Sequence, residues 1–245
     1  MAMYLFGDTH GTLEMYKIFP ENFIEGAALT RDDYVVVLGD WGVPFVTHGP
    51  NWYLKQSDKT MIKKLAALPF TVLFVDGNHD NHLFWRSRTK ISKFGGMVQS
   101  LPGTDNVFHL CRGEYYNIDG HTFWVMGGAL SRDSAYRTIN KDWWLEEIPS
   151  IQEENHGVST LQQHNMSVEY ILTHTPPERA IPLLKAADGS SLGMFYNSID
   201  MCARFLNFVQ DNVNYKEWYC GHMHIDQAIP DMRIQVLYNT YRRIY

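Results

Sequence analysis

Thr71-Val72-Leu73-Phe74-Val75-Asp76-Gly77-Asn78-His79-Asp80 decides the fold. The first five residues are β-prone, too few for a helix, and read as a strand buried on both faces. Polar side chains follow at once. In α/β sheets ligands bind just beyond the carboxyl ends of the strands, so Asn78, His79 and Asp80 are placed where a site would be.

Four further segments repeat the arrangement. Tyr4 to Phe6 precedes Gly7-Asp8-Thr9-His10-Gly11, and Tyr34 to Leu38 precedes Gly39-Asp40. Val168 to Leu172 precedes Thr173-His174, and Trp218 to Cys220 precedes Gly221-His222-Met223-His224. The clusters supply two carboxylates (Asp8, Asp40), four imidazoles (His10, His174, His222, His224) and the Asn78 amide. No cysteine belongs to the set. So many O and N donors suit two first-row metals bridged by one carboxylate, roughly 3.5–4 Å apart, a pair that clamps the attacking and leaving oxygens of an in-line displacement. Phosphoester hydrolysis is the natural use.

The ordered motifs D-x-H, G-D, G-N-H-[DE], a later His and G-H-x-H resemble those of the calcineurin-like metallophosphoesterase superfamily, from Asp8 to His224. The resemblance implies an α/β, four-layer α/β/β/α sandwich of two mixed sheets flanked by helices. It implies a first metal held by Asp8, His10, Asp40 and His224, and a second by Asp40, Asn78, His174 and His222. Asp40 would be the bridge, His79 the histidine beside the substrate phosphate, and Asp80 the group that orients His79 and keeps it protonated. A metal-bridging hydroxide would attack phosphorus. Manganese is the expected ion, with iron and zinc as alternatives. The chain departs from the Ser/Thr protein phosphatase pattern G-D-x-V-D-R-G, having Gly39-Asp40-Trp41-Gly42-Val43-Pro44 instead, which argues against that branch. A non-catalytic interaction module on the same fold is the contrasting reading; loss of chemistry shows as missing ligands, and none is missing.

The 245 residues, 45% hydrophobic and 20% charged, can bury a substantial core and fit a single domain spanning 1–245, with a variable insertion at about 128–165. A formal charge of −6 gives no general attraction to nucleic acid, so a nucleic-acid end is an expected substrate only through local contacts, beside nucleotides and other phosphate esters. Three widely spaced cysteines outside any CxxC pattern suit a reduced, cytoplasmic protein. With the first strand and ligand already at residues 4 to 8, no leader is expected, and no apolar run approaches the ~18 residues of a membrane span.

Helices are expected over Thr12–Phe19, from about Trp52 to Leu68 with Met61, Ile62, Leu65 and Leu68 on one face, from Ser150 with a Ser150/Glu153 capping box, after Thr175-Pro176, and over Asn197–Val209. Val107–Leu110, Glu114–Ile118 and His121–Met126 read as entry into the second sheet, the last two joined by an Asp119-Gly120 hairpin. Ile234–Tyr238 is the expected last strand. Candidate substrate contacts are Trp41, as an aromatic wall, and Arg132 and Arg137, as phosphate binders. Trp143-Trp144 reads as either a stacking platform or a hydrophobic anchor, His82 lies behind the site at best, and Asn239 caps a turn.

Overall fold

Leu5, Val36 and Leu73 lie side by side in adjacent parallel strands of the protein's computed structural model, which describes residues 1–45, 47–48, 53–194 and 200–245. In chain order the strands are β1 Met3–Phe6, β2 Tyr34–Leu38, the short pair β3 Thr47–His48 and β4 Tyr53–Leu54, β5 Thr71–Val75, β6 Ile91–Lys93, β7 Gly96–Ser100 and β8 Val107–Leu110. Then come β9 Tyr115–Ile118, β10 His121–Met126, β11 Ser167–Thr173, β12 Asn214–Cys220, β13 Gln227–Ile229, β14 Ile234–Val236 and β15 Tyr241–Arg243. Among the described residues, one sheet has the order β15-β1-β2-β5-β8-β7-β6 and the other β13-β14-β12-β11-β10-β9.

Alternation along the strands explains the layering, because successive side chains point to opposite faces. Leu5, Val36, Leu38, Leu73 and Val75 meet Phe123, Val125, Tyr170, Leu172 and Tyr219 between the sheets. Their sequence neighbours Phe6, Val35, Val37, Val72 and Phe74 face outward onto Met61, Ile62 and Leu65 of helix α1 (Gln56–Ala66). On the far side Trp124, Met126, Ile171 and Trp218 pack under Leu161 and Leu206. These come from two further helices, called α3 (Ile151–Gln163) and α4 (Met201–Asn212) because the short α2 (His82–Arg86) precedes them. The result is the expected α/β/β/α sandwich.

Local signals behave as their chemistry requires. Ser150 and Glu153 form the reciprocal capping box of α3, and Asp119-Gly120 turns with both φ angles positive, 55° and 81°, as a two-residue hairpin demands. Asp200 caps α4 through the amides of Cys202 and Ala203; Asn197, the expected start, lies outside the described residues. Trp52 does too, and α1 begins at Gln56 after β4. Residues 128–165 contain 3-10 turns at Ser134–Tyr136 and Leu145–Glu147, then α3, the crossover between parallel β10 and β11.

Four expectations are corrected. Thr12–Phe19 is no α-helix: the amides of Thr9, His10 and Gly11 bond to the carbonyls of Asp40 and Trp41, which holds the segment against the end of β2, and only a 3-10 turn at Met15–Ile18 follows. Beyond His174, Pro176, Pro177 and Pro182 remove amide donors, leaving a 3-10 helix at Glu178–Leu183 that Thr175 does not cap. Val107–Leu110 stays in the first sheet, parallel to β5, so the second sheet begins at β9. The last strand is not Ile234–Tyr238: the chain leaves β14 at Val236 and returns to the first sheet as β15, antiparallel to β1.

Candidate metal centre

Because β1, β2 and β5 are parallel, as are β11 and β12, their carboxyl ends gather Asp8, His10, Asp40, Asn78, His174, His222 and His224 at one rim. Close approach is possible because two positions lack a side chain. A Cβ on Gly77 would collide with the Asp40 amide and carboxylate, and one on Gly39 (φ +99°) with the His174 ring. His10, Asp40, His222 and His224 themselves hold left-handed backbone conformations, with φ of 43°, 46°, 63° and 51°. Such conformations cost about 1–3 kcal/mol each and cluster where geometry serves function.

Asp8, His10, Asp40 and His224 place ligand-type atoms all within 4.8 Å of one another. His10 Nε2 lies 3.2 Å from Asp40 Oδ2, and His224 Nε2 lies 3.1 Å from Asp8 Oδ2. That buried Asp8 oxygen has no aligned hydrogen bond among the described residues, so it faces a nitrogen without satisfying it. The second set is tied through His174, whose Nε2 lies 3.0 Å from Asn78 Oδ1 and 3.3 Å from Asp40 Oδ1, while its ring centre is 4.9 Å from that of His222. The donor set and the unsatisfied Asp8 oxygen both fit divalent cations.

Charge crowding fits them as well. Burial alone would lower His174, but the charges of Asp40 and Asp8 push it up to about 10. Burial likewise opposes His10, and the hydrogen bond and charge of Asp40 push it up to about 9. His222, buried and repelled by His174, falls to about 3. Burial opposes ionisation of Asp40, but His174 and His79 hold it well below the usual carboxylate range.

Supporting groups orient the candidates, as the outer contacts of metal-binding histidines commonly do. His174 Nδ1 lies 2.8 Å from the Leu38 carbonyl, and His10 Nδ1 lies 2.9 Å from Glu14 Oε2. Asn78 donates to Ser131 Oγ, which donates to Glu147, leaving the Asn78 oxygen turned toward His174. Glu14, Tyr238, Ser131 and Glu147 escaped the sequence reading. Glu14 carried the one signal, lying one helical turn after His10.

Asp80 does not orient His79. Its oxygens accept from the amides of Trp41, Gly42 and Gly77, tying the second motif to the third, and burial with the nearby Asp40 charge raises it to about 7. His79 Nδ1 is buried with no partner among the described residues, and burial lowers its pKa, so Asp80 does not keep it protonated. Trp41 is fully buried, stacked on Phe74 at 4.7 Å with Nε1 donating to Val43; it forms the floor of the loop, not a substrate wall.

Arg132 lines a cleft of about 180 Å³ with Asp40, Asn78, His79, His222 and His224. Arg137 lines a larger cavity with His10 and His79 and pairs with Asp133 at 2.5 Å. Trp144 is buried beside Phe45 and His82, an anchor and not a platform. His82 sits in a separate buried group with Asp76 and Arg112. The Asn239 amide is held by Asp226 in the turn before β15.

A family model described as calcineurin-like phosphoesterase matches residues 1–226, and the chain belongs to that family. No curated protein matches it. Among the described residues no helix is long and apolar enough to cross a membrane.

Proposed function

We propose, from that membership and the geometry of the rim, that the protein hydrolyses phosphomono- or phosphodiesters with two divalent metals, one held by Asp8, His10, Asp40 and His224 and the other by Asp40, Asn78, His174 and His222. The observation that carries this reading is the position of Asp40: one oxygen lies 3.2 Å from His10 Nε2 and the other 3.3 Å from His174 Nε2. One carboxylate facing two histidine groups is what a bridging ligand requires.

When bound, such a pair supplies a water acidified toward neutrality as nucleophile and neutralises the phosphoryl oxygens as charge develops. The remaining work belongs to the chain's own side chains. His79 lines the cleft beside the candidate ligands, where a ring N–H can be shared with the leaving oxygen. Arg132 on the cleft wall and Arg137 in the adjoining cavity supply cationic contacts to phosphate oxygens. Mixed carboxylate, imidazole and amide ligation suits manganese, and also iron or zinc. Nucleotides or nucleic-acid ends are the proposed substrates. Three buried free thiols support a reducing, cytoplasmic setting.

The test is hydrolysis of p-nitrophenyl phosphate and bis-p-nitrophenyl phosphate by metal-stripped protein reloaded with manganese, beside Asp40→Asn. Metal-dependent cleavage that vanishes in the variant is expected. No cleavage of either compound with two metals bound would favour a narrow natural substrate or the non-catalytic module.

A further inference from the structure

A cavity of about 380 Å³ adjoins the metal-site cleft, and His79 lines both. Its volume falls within the range of small-molecule pockets. Leu13 and Phe45 give it apolar walls, and Phe45 is braced edge-on by buried Trp144, with ring centres 5.7 Å apart and planes at 84°. The wall on the α1 side carries Lys55 and Asp58.

Asp58 is the anomaly. It sits in the first turn of α1, where a carboxylate ordinarily faces water, yet the residue is 4% exposed. Its Oδ2 has no hydrogen-bond partner among the described residues. A buried acceptor left unpaired costs about 1–3 kcal/mol, and it is understandable where a ligand brings the missing donor.

We infer that this cavity is the leaving-group pocket and takes a nucleoside, whose base lies on Phe45 and whose exocyclic amine donates to Asp58, while His79 at the junction meets the ester oxygen. The inference deepens the phosphoesterase reading and rests on it for the word leaving group. Chemistry narrows the occupant. A small alcohol would leave both the apolar wall and the carboxyl group unanswered. A flat apolar group with an N–H donor answers both. Burial raises the Asp58 pKa against the pull of Lys55, consistent with a carboxyl group that lacks solvent and partner.

Calorimetric binding of nucleosides to the manganese-loaded protein tests the pocket without requiring turnover. Adenosine is expected to bind at least about tenfold more tightly than purine riboside, and guanosine than inosine, since a site built around a hydrogen bond rejects the analogue lacking it. Asp58→Leu should erase the preference, whereas Asp58→Asn, which keeps an acceptor of the same shape, should retain most of it. Equal binding of the paired nucleosides, no binding at millimolar concentration, or an unchanged preference in Asp58→Leu would each overturn the inference. A protein that shows the preference but hydrolyses no phosphoester would overturn the phosphoesterase reading and leave the pocket standing. Turnover without the preference would do the reverse.

Discussion

Tyr238 lays its ring flat on His224, with centroids 4.6 Å apart and planes 11° from parallel. Its hydroxyl donates to Glu14 Oε1 at 2.9 Å, and the other Glu14 oxygen lies 2.9 Å from His10. One tyrosine near the chain's end therefore braces two of the groups in the first cluster. Lys17 closes the assembly, 3.9 Å over the Tyr238 ring and bonded to the Asp8 carbonyl.

Removing that brace should loosen the metal and leave the fold intact. Tyr238→Ala is expected to weaken manganese binding at the first position by about 10–100-fold, the usual effect of losing an outer contact. Tyr238→Phe keeps the stack, loses the bond to Glu14, and should fall between the two. Manganese titration followed by electron paramagnetic resonance reads the series; three equal affinities would reject the role.

His79→Asn separates proton transfer from metal binding. Metal content should not change, while turnover drops by about two to four orders of magnitude. Because Asp80 bonds to backbone amides and not to His79, Asp80→Asn should act differently: it places an amide among three N–H donors and lowers stability by about 1–3 kcal/mol. Thermal melting distinguishes the two variants, and equal melts would contradict the assignment.

Metal affinity should climb with pH. In the metal-free protein His10 and His174 hold protons up to about 9 and 10, and an imidazole must release its proton to ligate. Between pH 6.5 and 8.5, affinity is expected to rise by about tenfold per pH unit for each proton displaced. The stability sign is opposite. Both folded-state pKa values lie above the unfolded value of about 6.5, so this contribution is fully present below pH 6.5 and is lost as pH rises through 9 to 10. Metal-free protein should therefore melt lower at pH 9 than at pH 6.5. A flat profile of both affinity and melting would remove these protons from the site.

Arg112 holds a second buried charge away from the rim. Its guanidinium meets Asp76 at 2.5 Å, His109 lies 2.9 Å from the same carboxylate, and both ionic side chains are buried. Burial opposes the ionised Asp76, but Arg112 and His109 hold it far below the usual carboxylate range. Arg112→Met strands that charge and should cost about 3–5 kcal/mol. Denaturant unfolding measures it; a loss below about 1 kcal/mol would mean that water reaches Asp76.

The ligand candidates were legible because each follows a strand whose composition is unmistakable and because parallel strands end on one side. Phe74 to Val75 and Leu172 to Thr173 mark their own ends, and Asn78 and His174 come together at 3.0 Å as their motifs imply. Where the reading failed, local pattern met a competing long-range bond. Thr12–Phe19 carried a helical pattern that backbone bonds to Asp40 and Trp41 overrode. Asp80 looked like a partner for its sequence neighbour, and three amides from two loops had claimed it.

The sequence by itself determined the family and the candidate side chains that follow the strands, because each motif is a short segment read after a β-prone run, and the sandwich followed from the resemblance those motifs carry. Tertiary structure alone decided which groups stand behind them. Tyr238 reaches Glu14 across 224 positions of chain, Ser131 reaches Asn78 across 53, and Asp58 is buried in the wall of a cavity. Hydrogen bonds and burial at such separations depend on how two sheets and their helices pack, and no local pattern encodes that distance.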